Sequence, residues 1–212
     1  MRPSCLALPQ ARRSMFRSAI FALVVAAVAG PGTAAEPVPV KGTSVAYAPT
    51  ISATVKDKAV PLSLTGVGLR TKVGFDVYTV ASYVQDGTRV QKAEDVAKTD
   101  SVRLLHLVMQ RTVQPDDFIG AFRSAVGKSY PEGKFATEFA QLVNAIGKNA
   151  ATKGDHVILL HVPGEGVRVQ VGQKVDVTIK SPAFSQALWE VYFGSKPLDE
   201  GLKKGLVGSM KP

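Results

Sequence analysis

The stretch VILLHVPGEGVRVQVGQKVDVTI, residues 157–179, decides the fold. It contains three runs in which apolar residues alternate with polar ones or follow one another without interruption, and both patterns are typical of β-strands. Two tight turns separate these runs, Pro163-Gly164-Glu165-Gly166 and Gly172-Gln173. Because such short connections join antiparallel neighbours, the stretch predicts a three-stranded antiparallel meander.

More strands are expected upstream of this meander. Residues 51–55 and 60–64 alternate around Asp57-Lys58 as a hairpin does. Residues 73–84 and 102–109 are rich in β-branched, aromatic and other apolar residues, which favours two further strands.

Helices are expected between and after the strands. Pro115 and Ser181-Pro182 are typical helix starts, Ser195 and Pro197 repeat that signal near the end, and a short helix is expected over residues 93–98. This order predicts an α+β fold, an antiparallel sheet with helices on one face. Two apolar stripes at helical spacing should be core: Phe118, Phe122 and Val126 in one helix, and Phe135, Phe139, Leu142 and Ile146 in the next.

Residues 1–35 have the organisation of a secretory signal peptide. Arg12, Arg13 and Arg17 precede an apolar run over residues 19–29, and small residues follow up to Ala35. The run is shorter than the roughly 20 residues that span a bilayer. We therefore expect cleavage after Ala35, a periplasmic or secreted protein and no membrane span in the mature chain; an uncleaved anchor is the alternative. Residues 36–48 then form an extended lead-in, and residues 49–212 form the domain.

Composition argues against several classes of function. The one cysteine, Cys5, lies in the expected signal peptide, so the mature chain has neither a disulfide nor a thiolate ligand. Four of the 26 Lys and Arg leave with that peptide, and the remaining 22 face 17 Asp and Glu without forming a basic run. Nucleic-acid binding is therefore not indicated. His156 and His161 fall on opposite faces of one strand and His106 lies in another, so we expect no metal site and no cofactor.

The glycines at positions 66 and 68 resemble part of a dinucleotide-binding loop. A third glycine is absent, and a strand follows where such a loop requires a helix. We expect Gly66 and Gly68 to form a tight turn at the head of the long strand.

Arg70 and Tyr78 are the candidate ligand-binding residues. Arg70 precedes a strand full of apolar residues, and Tyr78 lies within that strand. An arginine beside an apolar surface offers parallel donors to a carboxylate or phenolate, and a tyrosine hydroxyl can complete the hydrogen bonds of such an anion. The alternative is that Arg70 pairs with an acidic residue and that Tyr78 is an ordinary core residue.

Two regions of the chain resemble the chalcone isomerase family. The first contains GVGLRTK, residues 66–72, and FDVYTVASYV, residues 75–84; the second contains SQALWE, KPLD and LKK within residues 185–204. The meander also lies where that family has one. The resemblance covers nearly the whole expected mature chain in the same order, and it looks strongest with the short exported bacterial members.

This resemblance implies an open-faced antiparallel sheet with a ligand cleft between sheet and helices. In plant chalcone isomerases an arginine, two threonines, a tyrosine and an asparagine line the cleft, and only the arginine is matched here. The matching positions hold Arg70 for the arginine, Tyr78 and Val191 for the threonines, Asp117 or Phe118 for the tyrosine, and Ser124 for the asparagine.

The fatty-acid-binding branch of the same family keeps an arginine and a tyrosine that hold the ligand carboxylate. Arg70 and Tyr78 match that pair, with a shorter loop between them. The resemblance therefore implies non-catalytic binding of a fatty acid or a similar amphipathic anion. Two alternatives stay open: an intramolecular lyase of the chalcone-to-flavanone type, in which Arg70 would stabilise a phenolate, and an envelope scaffold or partner-binding protein with a vestigial cleft.

Overall fold

The computed structural model describes residues 36–210, so the expected signal peptide lies outside the described part of the chain. Among the described helices, none combines the length and the apolar character needed to cross a membrane. The described strands are β1 (Val38–Pro39), β2 (Ala46–Tyr47), β3 (Thr50–Val55), β4 (Lys58–Lys72), β5 (Phe75–Gln85), β6 (Arg103–Met109), β7 (His156–Val162), β8 (Gly166–Val171) and β9 (Val175–Ile179). The helices are α1 (Ala93–Lys98), α2 (Pro115–Gly127), α3 (Ala136–Ile146), α4 (Pro182–Phe193) and α5 (Glu200–Gly205).

Strands β3 to β9 form one seven-stranded sheet, and each strand pairs antiparallel with the next one in the sequence. The predicted meander is confirmed as β7, β8 and β9. Its register places Val169 opposite both Leu159 and Val177. Because side chains alternate between the faces of a strand, these three residues share one face of the sheet.

That face is covered by the helices, which confirms the predicted α+β architecture. Leu105 and Leu159 of the sheet belong to the same buried cluster as Trp189 of α4. Burying these apolar surfaces supplies most of the stabilisation of such a layer. Both predicted stripes are buried in this cluster: Phe118, Phe122 and Val126, and Phe135, Phe139, Leu142 and Ile146.

The opposite face of the sheet is partly covered by residues 36–48. Strands β1 and β2 pair with each other, and Val40 and Tyr47 are buried against this face. The Tyr47 hydroxyl lies 2.8 Å from Oγ1 of Thr79 in β5, and the Tyr83 hydroxyl donates to the Ala48 carbonyl at 2.9 Å. The segment predicted as an extended lead-in thus contributes buried side chains to a second, smaller core.

Gly66 and Gly68 lie in the middle of β4, so the predicted turn at these residues is wrong. The turn follows at Val73 and Gly74, which both have positive φ. A Cβ atom at Gly66 would overlap the main chain of Gly205 and Leu206. Glycine is therefore needed for the close approach of α5, and not for a change of chain direction.

The starts of the last two helices differ in how well the sequence predicts them. Ser181 is the N-cap of α4, as predicted, and its hydroxyl accepts a hydrogen bond from the Phe184 amide at 3.2 Å. Helix α5 begins at Glu200, later than the signal at Ser195 and Pro197 indicates. Asp199 is its N-cap, because the carboxylate accepts a hydrogen bond from the Leu202 amide at 2.9 Å.

Candidate functional site

A cleft opens on the helix-covered face, between the β4–β5 end of the sheet and helices α2 and α4. Its volume is about 440 Å³, which is within the range of about 300–1,000 Å³ that is usual for small-molecule sites. Met109, Phe118, Phe122 and Val191 form much of its apolar wall. Its polar lining includes Arg70, Tyr78, Asp117, Ser124, Lys128 and Tyr192.

The structure brings Arg70 and Tyr78 together in this cleft. They are directly opposite each other in the β4–β5 register, because the short turn at Val73 and Gly74 folds one strand back on the other. Tyr78 is 9% exposed and the Arg70 side chain 17% exposed. The short connection noted in the sequence therefore makes the two residues cross-strand neighbours.

The Arg70 guanidinium is held from one side only. Its Nη1 donates to the Thr71 carbonyl at 2.6 Å and to Oδ2 of Asp199 at 3.0 Å. Within the described residues, Nε and Nη2 of Arg70 have no hydrogen-bond partner. The acidic partner that was an alternative for Arg70 is thus present, yet donors of the same guanidinium remain available to a ligand.

Tyr192 of α4 completes the polar end of the cleft, and sequence reasoning missed it. Its hydroxyl lies 3.3 Å from that of Tyr78. Burial raises the pKa of Tyr78 to about 12 and raises the pKa of Tyr192 well above its usual value. Both hydroxyls are therefore protonated at neutral pH. One proton is used in the contact between them, and the other can be donated to an acceptor in the cleft.

The positions that the family resemblance assigns to helices α2 and α4 also line the cleft. Asp117, Phe118 and Ser124 lie on the α2 wall, and Val191 lies beside Tyr192 on α4. None of these residues supplies the tyrosine, asparagine or threonine expected of a plant isomerase. The sequence did contain one signal for Tyr192, because it directly follows Val191, a position that the resemblance places in the cleft.

Two of the three histidines, interpreted from sequence as scattered, meet on the opposite face of the sheet. Nε2 of His106 lies 2.7 Å from Nδ1 of His156, and the His106 ring contacts Tyr47 edge-on. His161 lies on the other face from His156, as their spacing predicts, and its Nδ1 lies 2.8 Å from the Ser185 hydroxyl of α4. In residues 36–210 no group of three or more His, Cys, Asp or Glu could hold a metal ion.

The seven-stranded antiparallel sheet, its single helical layer and the polar-ended cleft define an open-faced α+β domain with a ligand-sized site. The family model described as chalcone isomerase-like matches residues 42–208, and the chain belongs to that family.

Among solved structures, the chain is similar to a fatty-acid binding protein of Arabidopsis thaliana. The TM-score is 0.61 and the identity 15%, and the match covers 81% of this chain and 96% of the plant protein. This likeness shows the fold. No curated protein matches the sequence.

Proposed function

We propose that the cleft binds an amphipathic anion such as a fatty acid, without converting it. The observation that carries this proposal is the placement of Arg70, Tyr78 and Tyr192 together in a cleft that also has a large apolar wall. The plant structure of similar fold is a fatty-acid binding protein, which supports the same class of ligand.

The polar end suits a carboxylate head group. Nε and Nη2 of Arg70 and one tyrosine proton offer donors to its two oxygens, and a charge-assisted hydrogen bond contributes about 1.5–3 kcal/mol net. Asp199 already takes part of the positive charge of Arg70. Arg70 therefore chiefly sets the orientation and the choice of head group.

The apolar walls suit the ligand's hydrocarbon tail. Each buried methylene contributes about 0.8 kcal/mol, so a tail of several methylenes outweighs the head group in gross binding energy. Phe118 and Phe122, whose ring centroids are 5.2 Å apart, present aromatic surface to such a tail. Affinity should therefore rise with chain length until the tail no longer fits.

Isothermal titration calorimetry with dodecanoate and 1-dodecanol tests the proposal. We expect Arg70→Ala to lose dodecanoate affinity by about 30-fold or more, because a desolvated carboxylate would lose its charged partner. The loss for dodecanol should be much smaller. Arg89→Ala is the matched control, since Arg89 is exposed and lies outside the cleft. Equal affinity of the unmodified protein for acid and alcohol would contradict the anion site, and binding of neither would favour the scaffold alternative.

Chalcone turnover tests the alternative of an enzyme. We expect slow loss of chalcone absorbance, because Asp117 or Phe118, Ser124 and Val191 replace polar groups of the plant cleft, and loss of one positioned donor typically costs about 100-fold in rate. Fast turnover that Arg70→Ala abolishes would instead establish an isomerase.

We also propose export with cleavage after Ala35, on the basis of the sequence of residues 1–35. The intact mass of the protein recovered outside the cytoplasm should correspond to a chain that begins at or near Glu36. A mass that retains Met1 would indicate an anchored protein.

A further inference from the structure

The turn between β4 and β5 exposes apolar side chains at the rim of the cleft. Val73 is 87% exposed and Phe75 63% exposed; the third exposed large hydrophobic residue of the described chain, Val143, is 40% exposed on α3. Residues 72–75, Lys72-Val73-Gly74-Phe75, are called the apolar tip below. Two of three such residues thus lie within one turn.

The backbone conformation at Val73 is unusual for its side chain. Val73 has φ of +50°, a conformation that β-branched residues rarely adopt. An ordinary two-residue hairpin would have Asn or Asp at this position followed by glycine. The turn therefore presents an apolar side chain where the local backbone favours a polar one.

Basic side chains flank the exposed apolar pair. Lys72 precedes Val73, and the Arg111 guanidinium lies 5.6 Å from the centre of the Phe75 ring. Neither Lys72 nor Arg111 forms an ion pair within residues 36–210. Both line a hollow of about 300 Å³ beside the tip, together with one acidic residue, Asp117.

This hollow adjoins the cleft. Lys72, Val77, Val113 and Asp117 line both spaces, whereas Val73, Phe75 and Arg111 line only the hollow. A surface that covers the apolar tip would therefore also lie at the mouth of the cleft.

We propose that the apolar tip and Arg111 form a contact site for the surface of an anionic lipid bilayer. Two protruding apolar side chains with basic neighbours fit an interface at which the apolar groups enter the acyl boundary and the cations remain among the head groups. A stable protein interface buries about 800 Å² on each partner, far more than this turn offers. This contact orients the mouth of the cleft towards the membrane. An amphipathic ligand can then pass between bilayer and cleft without crossing bulk water.

Vesicle co-sedimentation of the exported protein tests the apolar tip. We expect binding to mixed phosphatidylcholine and phosphatidylglycerol vesicles that falls about tenfold or more in the Val73→Asn/Phe75→Ser double variant. Asparagine tolerates the positive φ of Val73, so the fold should be retained. Val143→Ser is the matched control, because it removes an exposed apolar side chain elsewhere, and it should bind as the unmodified protein does.

The charge contribution is tested with Lys72→Gln/Arg111→Gln. This variant should lose about tenfold or more of its binding to the mixed vesicles, while its weak binding to pure phosphatidylcholine vesicles is unchanged. Lys148→Gln, at an exposed lysine outside the tip, is the control.

Dodecanoate titration in solution separates this proposal from the function of the cleft. The Val73→Asn/Phe75→Ser variant should keep its affinity for dodecanoate. A protein that binds dodecanoate but no vesicles overturns the lipid contact alone, and so does a double variant that binds vesicles as well as the unmodified protein. If the protein binds vesicles through the apolar tip but does not bind dodecanoate, the lipid contact is supported. Only the ligand proposed for the cleft is then contradicted.

Discussion

Two arginines on the helix-covered face of the sheet lie in opposite surroundings. Arg70 lies at the open cleft with donors to spare. Arg103 is 1% exposed, its Nη1 donates to the carbonyls of Val96, at 2.8 Å, and Ala97 at the end of α1, and its guanidinium lies 5.0 Å from the centre of the Trp189 ring.

Side chains enclose Arg103, which forms no ion pair within residues 36–210. His161 lies opposite Arg103 in the β6–β7 register, and its ring contacts Trp189. Among the described residues, Nε of Arg103, Nε2 of His161 and Nε1 of Trp189 are buried without a hydrogen-bond partner. Burial lowers the pKa of Arg103 to about 10, so the guanidinium remains charged at neutral pH.

The comparison shows that the helix layer decides what an arginine on this sheet can do. Over Arg103, helices α1 and α4 supply acceptors and an aromatic surface, which makes the residue part of the core. Over Arg70, α2 and α4 stand apart and leave a cleft. Substitution of Arg103 should therefore affect stability, and substitution of Arg70 should affect binding.

Arg103→Ala should give the largest effect, a loss of about 3 kcal/mol in the free energy of unfolding. It removes two hydrogen bonds to carbonyls at the end of α1 and leaves a cavity beneath Trp189. Urea denaturation at neutral pH measures the loss. Arg70→Ala should lose less than about 1 kcal/mol, since its partly exposed ion pair contributes little to stability. Equal losses of unfolding free energy in the two variants would contradict the contrast between the two arginines.

Acidification should destabilise the closed site through His161. Burial, together with the charge of Arg103, lowers the pKa of His161 to about 4, whereas the unfolded chain binds this proton near pH 6.5. Above pH 6.5 the contribution to stability is complete, and it is lost as the pH falls towards 4, by about 2 kcal/mol at pH 5.

Urea denaturation at several pH values tests this, because His161→Gln should flatten the decline in stability. His106, whose pKa burial also lowers to about 4, should add a similar decline from the opposite face. An unchanged pH profile in His161→Gln would show that protonation of this buried histidine does not cause the decline.

Tyr192→Phe should weaken dodecanoate binding by about fivefold, corresponding to one neutral hydrogen bond of about 1 kcal/mol. The ring and its packing are retained, so the free energy of unfolding should change little. Tyr130→Phe is the matched control: it removes the hydroxyl that donates to Glu190 at 2.8 Å outside the cleft. If both variants weaken binding alike, the effect does not come from the cleft.

Asp199→Asn should give the smallest effect, a twofold to about fivefold gain in dodecanoate affinity. The substitution removes the carboxylate that competes with the ligand for Arg70. The gain is modest because the ion pair is partly exposed. Asparagine remains a good N-cap, so α5 should persist. Calorimetry with dodecanoate and dodecanol checks that only the acid gains affinity. A loss for both ligands would mean that Asp199 positions the site.

The sequence by itself determined the meander, the apolar stripes of α2 and α3 and the Ser181 cap of α4. These features follow from local spacing, since side-chain periodicity and capping involve residues a few positions apart. It also singled out Arg70 and Tyr78 as candidates, and one short turn places them opposite each other in the sheet.

Only the tertiary structure decided how the two ends of the helix layer differ. Arg70 meets Asp199 across 129 positions, and Tyr78 meets Tyr192 across 114. The reason for glycine at position 66 lies in the main chain of Gly205 and Leu206. No local pattern contains such pairs, because they arise when helices that are distant in sequence dock on the sheet. The hairpin and the meander can be inferred from the chain, whereas the position of each helix over the sheet depends on packing between distant side chains.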